Sequence, residues 1–282
     1  MTTERIRLGD LDVIGLREGY FLLDGGAMFG VVPKNLWEKV SPADSKNRIR
    51  LGLNSLLVKT PRALVLLETG IGTKSDQKFA GIYGLDLRPG LVPALESAGF
   101  RAEDVDFVIN THLHFDHCGG NTRRDEAGRV VPTFPRARYI IQRGEWEAAL
   151  HPNERDRASY FAENFVPLRD AGLVDLVDGD REITPGVDVV VSPGHTRRHQ
   201  SVMVRSGGRT LYFLGDLVPT AAHVRLAYIM SYDLFPLETL ETRKRLYEQA
   251  IAGDWVLAFV HDPVYFFGQV RKMDSRYEFV PI

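Results

Sequence analysis

Short apolar runs set the rhythm of this chain, and long amphipathic stripes are rare. Leu11–Leu16 and Ser55–Leu67 alternate or run apolar. The second is broken by Thr60-Pro61-Arg62, a turn signal, so it predicts a hairpin. Leu91–Ser97 reads as a short helix ended by Gly99. Phe107–Asn110 reads as a buried strand, Tyr139–Gln142 as another, and Gly144–Leu150 as the start of a helix. Glu145 and Glu147 suit the positive N-terminal end of that helix. Residues 151–175 are polar, with aromatics at Tyr160, Phe161 and Phe165, and read as a helical insertion or lid more than as core. Val187–Val191 is a further strand. Ser201–Arg205 and Thr210–Leu214 flank Gly207-Gly208, the signal of a tight hairpin. Leu237–Ile251 carries the best helical pattern, with Leu237, Leu240, Leu246, Ala250 and Ile251 as its apolar positions, and Asp254–Val260 is a last apolar strand.

Polar residues of one kind recur where these strands end. After Phe107–Asn110 comes THLHFDHCGG, with His112, His114, Asp116 and His117 close together. His195 follows Val187–Val191 in SPGHT, Asp216 follows Thr210–Leu214, and His261 follows Asp254–Val260. Three packed histidines beside a carboxylate would repel one another if charged, and bound cations resolve that conflict. Imidazole with carboxylate suits zinc, iron, cobalt or manganese. Ligands on strand-end loops of a rigid sheet are what a preorganised metal site requires. Convergence of the four ends is the economical reading of this pattern.

Composition narrows the functional classes. With 282 residues the chain can form one large domain or two small ones. A formal net charge of -2 offers no general attraction to nucleic acid. The single cysteine, Cys118, excludes an intrachain disulfide and fits a reducing compartment. The charged start, MTTERIRLGD, lacks the apolar core of a signal peptide, and no apolar run approaches the ~20 residues of a membrane span. A cytoplasmic protein with no membrane partner is expected.

THLHFDHCGGN resembles the HxHxDH signature of the metallo-β-lactamase superfamily. The supporting motifs occur in the same order: ETGIG at 68–72, SPGHT at 192–196, GDL at 215–217 and HDP at 261–263. The resemblance covers about residues 50–270. It implies an α/β fold, an αββα sandwich forming one domain over 1–282 with a lid or insertion at 151–175. It also implies a dinuclear site: His112, His114 and His195 on one metal, Asp116, His117 and His261 on the other, Asp216 bridging both, and a bridging hydroxide. Zinc is the expected metal, with cobalt, iron and manganese as alternatives. Within the superfamily the chain is similar to quorum-quenching N-acyl-homoserine-lactone lactonases, through HLHFDHCGGN, GHTRRHQS at 194–201 and the late HD motif. The segments 24–37 and 215–245 also resemble a bacterial branch that includes hydrolases of the methyl-parathion-hydrolase type. Two positions depart from the pattern. Pro219 stands where several lactonases place a tyrosine, and Glu68 stands where the superfamily usually has aspartate.

The expected reaction is hydrolysis of a small lactone or ester by a metal-activated water. Asp116 is both a ligand and the proton relay from attacking water to leaving oxygen. His199 is read as orienting a ligand, Cys118 as a small packed residue, and His151 as surface. His223 is either a satisfied structural histidine or a wall of the pocket; with Met28 and Phe29 it forms the expected substrate-binding set. Phe161, Phe165, Tyr228 and Tyr232 are further candidates for an apolar wall. A homodimer is what the resemblance suggests. Competing readings are a phosphotriesterase-like organophosphate hydrolase and a non-catalytic, metal-bound signal-binding protein. True β-lactamases usually lack an equivalent of Asp216, and 271–282 matches poorly the basic tail of glyoxalase-type thioesterases.

Overall fold

Side chains that alternate along a strand face opposite sides of a sheet, and here both sides are buried. The computed structural model describes residues 4–282. The first sheet begins with β1 (Arg5–Leu8), β2 (Leu11–Asp24), β3 (Arg48–Lys59), β4 (Leu64–Leu67) and β5 (Phe107–Ile109). A two-stranded ribbon, β6 (Thr122–Arg124) with β7 (Val130–Pro132), intervenes. The sheet is then completed by β8 (Arg138–Gln142) and β9 (Val174–Val177). The second sheet follows chain order: β10 (Arg181–Thr184), β11 (Val187–Val191), β12 (Gln200–Ser206), β13 (Arg209–Phe213), β14 (Val256–Ala258), β15 (Phe267–Met273) and β16 (Arg276–Pro281).

Three apolar layers result. Leu56, Val58, Val65 and Leu67 of the first sheet meet Val202, Val204, Leu211 and Phe213 of the second. Their neighbours along each strand point the other way. Leu57, Leu64 and Leu66 pack with the helix Leu91–Ser97 outside the first sheet. Tyr212 and Leu257 pack with Leu246, Tyr247 and Ala250 of the helix Pro236–Ala252 outside the second. The architecture is the expected αββα sandwich. The parallel pairs β4–β5, β5–β8, β8–β9 and β13–β14 are the ones joined by long connections that carry helices, as parallel strands require.

Most of the sequence-derived elements stand where the pattern put them. The Thr60 hydroxyl accepts the N–H of Ala63 at 2.8 Å and closes the β3–β4 turn. Gly207 and Gly208 adopt φ of 58° and 73° between β12 and β13, the left-handed pair that a two-residue hairpin turn needs. Two expectations change. The segment 151–175 is not a separate insertion: Tyr160, Phe165 and Leu168 are buried in the core outside the first sheet, and Val174–Val177 is its edge strand. The helix Pro236–Ala252 buries Thr239, Thr242, Arg243, Leu246, Tyr247 and Ala250, whereas Leu237 is 77% exposed. The reason is Arg243, whose guanidinium is fully buried and donates to the carbonyls of Leu217, His223 and Tyr228. A polar residue therefore anchors this helix against the loops around the site. No helix among the described residues is long and apolar enough to cross a membrane.

Candidate metal centre

Four strand ends meet at one edge of the sandwich. His112 lies just beyond β5. His114 caps the short helix Phe115–Cys118, which carries Asp116 and His117. His195 lies beyond β11, Asp216 beyond β13 and His261 beyond β14. The Gly119-Gly120 pair lets the loop 68–72 press against this helix. A Cβ on Gly119 would stand 2.1 Å from the Ile71 carbonyl, and one on Gly120 would stand 2.2 Å from that of Thr69.

Seven side chains form three overlapping groups: His112, His114 and His195; His112, His117 and Asp216; Asp116, His117 and His261. Within each group the donor atoms lie within 4.8 Å of one another, and all seven residues are buried. The Nε2 atoms of His117 and His261 are 3.1 Å apart, as are His114 Nδ1 and His195 Nε2. Asp216 reaches both clusters: Oδ1 is 3.4 Å from His117 Nε2 and 3.3 Å from His261 Nε2, and Oδ2 is 3.3 Å from His195 Nε2. Asp116 Oδ2 lies 3.5 Å from His261 Nε2. Nε2 of His112 and Oδ1 of Asp216 are buried without a hydrogen-bond partner.

The far side of most rings is tied down, which fixes where the lone pairs point. His195 Nδ1–H donates to Asp233 at 2.9 Å, and His261 Nδ1–H donates to the Gly52 carbonyl at 2.9 Å. His112 Nδ1 sits 3.0 Å from the Thr111 hydroxyl, and His117 Nδ1 sits 3.4 Å from Glu68. With those protons directed outward, the inward Nε2 atoms of His195 and His261 are acceptors facing other acceptors. Divalent cations satisfy such an arrangement, and outer hydrogen bonds of this kind orient metal-binding imidazoles.

A second layer holds the loops. Glu68 accepts the Thr111 N–H at 2.9 Å, so the longer arm at this position still reaches both the loop and His117. Glu145 is fully buried. It accepts from Leu113 N–H, the Thr196 hydroxyl and the Tyr160 hydroxyl, and so joins the 111–117 loop to the 192–196 loop. It does so from the first turn of the helix Arg143–Leu150, the helix-end position expected of it. His199 accepts the Asp216 N–H at 3.1 Å and is held neutral by burial, its pKa down to about 3. Gln200 donates to the Asn110 carbonyl at 2.8 Å. Asp262 accepts from Ala221, Val264 and Tyr265, fixing the loop after His261. Burial raises the Glu18 carboxyl to about 7, against the Ile71 and Gly72 N–H groups it accepts from and the nearby Lys74.

Electrostatics favour cations here. Burial and then the neighbouring imidazoles push His112 and His114 well below the usual histidine range. Burial opposes charge on His117 too, but the carboxylates of Asp216, Asp116 and Glu68 outweigh it and raise its pKa. Burial likewise opposes ionisation of Asp216, yet His117, His195 and His261 hold its carboxyl well below the ordinary value. The centre therefore presents a persistent anion between two imidazole clusters.

Above the centre opens a cavity of about 340 Å³. His114, Asp116, His195, Asp216 and His261 line it, together with Leu23, Met28, Tyr83, Phe115, Met230 and Tyr232. Arg155, Asp156, Ala158 and Ser159 form another part of the wall. A larger groove of about 490 Å³ contains none of the seven clustered residues and borders the loop after His261 from another side. Of the expected substrate contacts, Met28 lies in the wall. Phe29 does not: it is fully buried, stacked on Trp37 at 5.3 Å and on His223 at 4.6 Å. His223 does not either. Its Nε2–H donates to the Met28 carbonyl at 2.8 Å, its Nδ1 is 2.7 Å from the Thr220 hydroxyl, and burial lowers its pKa to about 3. Both residues shape the cavity from behind by fixing Met28, because the 25–29 segment is a helical turn capped by Asp24. Among the four aromatics, only Tyr232 lines this cavity. Tyr228 and Phe165 are core, and Phe161 borders a neighbouring hollow. Cys118 is packed against the Leu113 carbonyl and His151 is exposed. Sequence reasoning missed Asp233, Glu18 and Tyr83, and the part Glu145 plays in joining the site loops. Only Tyr83 had a visible signal, the Asp76 cap of the helix Gln77–Tyr83.

A paired histidine–carboxylate cradle at the edge of an αββα sandwich defines a metallo-hydrolase. A sequence model described as the metallo-beta-lactamase superfamily matches residues 49–261, and the chain belongs to that superfamily. An N-acyl homoserine lactonase from Bacillus cereus is 29% identical over 170 residues, covering 57% of this chain and 61% of the lactonase. The chain thus spans less than two thirds of that relative's length. A probable metal-dependent hydrolase from Staphylococcus aureus superposes with a TM-score of 0.90 at 29% identity, over 98% of this chain and 99% of the other. AidC, a dizinc quorum-quenching lactonase solved with a product, superposes with a TM-score of 0.81 at 22% identity, over 99% and 97% of the two chains. At that identity the likeness to AidC speaks for the fold.

Proposed function

We propose that this chain hydrolyses lactones, N-acyl homoserine lactones or close analogues, with two divalent ions, zinc first among them. The observation that carries the reading is the seven-residue double cradle beneath an apolar-walled cavity. His112, His114 and His195 would hold one ion, Asp116, His117 and His261 the other, and Asp216 would join them. Bound there, the ions would supply a water acidic enough to ionise near neutral pH and a Lewis-acidic contact for a carbonyl oxygen.

The chain's own residues do the rest. Asp116 is slightly exposed and lines the cavity, so its carboxylate is within reach of both water and substrate. It takes the proton from the water that attacks the lactone carbonyl and returns it to the ring oxygen as the carbon–oxygen bond breaks. Asp233, Glu68, Thr111 and the Gly52 carbonyl keep the imidazoles turned inward. Leu23, Met28, Tyr83 and Phe115 exclude water from the apolar part of the substrate. The site offers no nucleophilic cysteine, since Cys118 is packed away and burial pushes its thiol far up.

The test is a pH-stat assay of the purified protein, with metal content measured, against a panel of lactones, esters and phosphotriesters. Turnover of lactones ahead of phosphotriesters supports the reading. Preference for phosphotriesters would transfer the main activity to that class, and no turnover with two metals bound would leave a signal-binding protein. All seven cradle residues are present, which favours a working enzyme over the last outcome.

A further inference from the structure

The groove of about 490 Å³ beside the loop after His261 has no part in the hydrolytic reaction, yet its walls carry uncommitted charge. Val40, Pro42, Val224, Pro263, Val264 and Phe279 give it apolar walls, and Arg50, Arg225 and Glu278 line it as well. Neither guanidinium has a carboxylate within 4.0 Å among the described residues. Aromatic rings hold them instead. The Arg50 guanidinium lies 3.5 Å from the centre of the Tyr20 ring. That of Arg225 lies 5.5 Å from the centre of the Tyr228 ring and donates to the Tyr228 hydroxyl at 3.3 Å. Stacking of this kind orients a guanidinium and leaves most of its in-plane N–H donors free. Glu278 likewise has no cation within 4.0 Å among the described residues. Asp262 lines the groove too, but its carboxylate already accepts the N–H groups of Ala221, Val264 and Tyr265. Arg17 donates to the carbonyls of Asp262 and Pro263 in the same loop, so Arg17, Arg50 and Arg225 outnumber Asp262 and Glu278.

We propose that this groove is a second binding site, for a small amphipathic hydroxy acid. The carboxylate of the ligand accepts from the Arg50 and Arg225 forks, its hydroxyl donates to Glu278, and its apolar tail covers Val40, Val264 and Phe279. A neutral lactone brings no carboxylate, and an inorganic anion brings no tail. Opening a lactone ring yields all three parts in one molecule: a carboxylate, a hydroxyl and the side chain. The identity of the acid therefore rests on the lactonase reading, and the groove goes beyond that reading by holding the product away from the centre that makes it. The groove walls are continuous with that centre. Ala221 donates to Asp262, the neighbour of His261, and the His261 N–H donates to the Pro219 carbonyl at 3.0 Å. The Thr220 hydroxyl is 2.7 Å from His223, which in turn holds Met28. An occupant thus touches the loops that carry His261 and fix Met28.

The experiment is calorimetry of the zinc-loaded protein with γ-hydroxyoctanoate, octanoate and acetate. Arg50→Met combined with Arg225→Met, both at exposed positions, is expected to bind one hydroxy acid fewer per chain than wild type, with zinc content unchanged. Val264→Asp, which sets a carboxylate on the same wall at another exposed position, is expected to do the same. In the groove, γ-hydroxyoctanoate is expected to bind about 10-fold or more tighter than acetate, since each buried methylene adds roughly 4-fold. It is also expected to outbind octanoate, which has no hydroxyl for Glu278. Unchanged stoichiometry in either variant, or equal affinity for octanoate, would overturn the proposal. Calorimetry needs no turnover, so the two readings fail separately. Lactones left unhydrolysed would remove the lactonase reading, while loss of one bound acid in both variants would still uphold the groove. Lactone turnover with the same stoichiometry in wild type and variants would keep the enzyme and refute the groove.

Discussion

Single residues at the centre divide into those that face the reaction and those that aim them. Asp116 belongs to the first kind. Asp116→Asn keeps the shape and one ligand oxygen but removes the proton acceptor, so kcat is expected to fall ~100-fold or more. Steady-state kinetics with metal content measured in parallel check this, and a near-wild-type rate at full occupancy would remove Asp116 from its relay role. Asp233 belongs to the second kind. It touches the centre only through His195 Nδ1, at 2.9 Å. Asp233→Asn weakens that orienting bond and is expected to cost ~10–100-fold in metal affinity. Competition with a chromogenic chelator reads the loss directly. The cluster at 112–117 was legible because its residue types have no comfortable structural alternative. Asp233 was not, because one aspartate in a polar loop looks like any other until the fold buries it.

At the scale of elements, polar side chains hold the site loops to the sandwich. Arg243 turns the helix Pro236–Ala252 into a clamp on three carbonyls from the 217–228 loops. Arg243→Met leaves those carbonyls without their donor at ~1–3 kcal/mol for each group stranded. A loss of at least ~3 kcal/mol in urea unfolding is expected. Glu18 ties β2 to the 68–72 loop, and its pKa sets a sign. The folded value, about 7, lies above the ordinary glutamate value of 4.5. Its contribution to stability is therefore fully present below pH 4.5 and is lost as pH rises through 7. Replacing it with the neutral Glu18→Gln removes that dependence. Between pH 5 and 8 the stability of wild type relative to this variant should fall, by at most ~3 kcal/mol for a shift of this size. A parallel pH profile for the two proteins would show the coupling absent. Strand and hairpin positions were readable because period and turn residues act locally. The buried face of Pro236–Ala252 was misread because Arg243 finds its partners only across the fold.

For the whole molecule, the metal centre is also a keystone between the sheets. Its residues come from loops of both, and stripping the ions would leave two carboxylates and five imidazoles facing one another. Binding that favours the folded state by ~4 kcal/mol at 1,000 times Kd translates to a drop in Tm of roughly 10 °C on chelation for a chain of this size. Differential scanning calorimetry with and without chelator tests it, and recovery on adding back zinc distinguishes loss of metal from damage. An unchanged Tm in verified metal-free protein would mean the sandwich holds its edge without the ions.

By itself the sequence determined the strands and the identity of the seven clustered residues, and its resemblance to the metallo-β-lactamase superfamily implied the sandwich. Alternating and continuous apolar runs specify strands through local sterics and burial. A strand end crowded with histidine and aspartate has no low-energy use except around cations. Only the tertiary structure decided which candidate side chains face the cavity and which support it: Met28 and Tyr232 are in the wall, Phe29, His223, Phe165 and Tyr228 behind it. It alone revealed the carboxylates that aim the rings. Those properties depend on which distant segments come within about 3 Å of each other, and no local pattern along the chain encodes that distance.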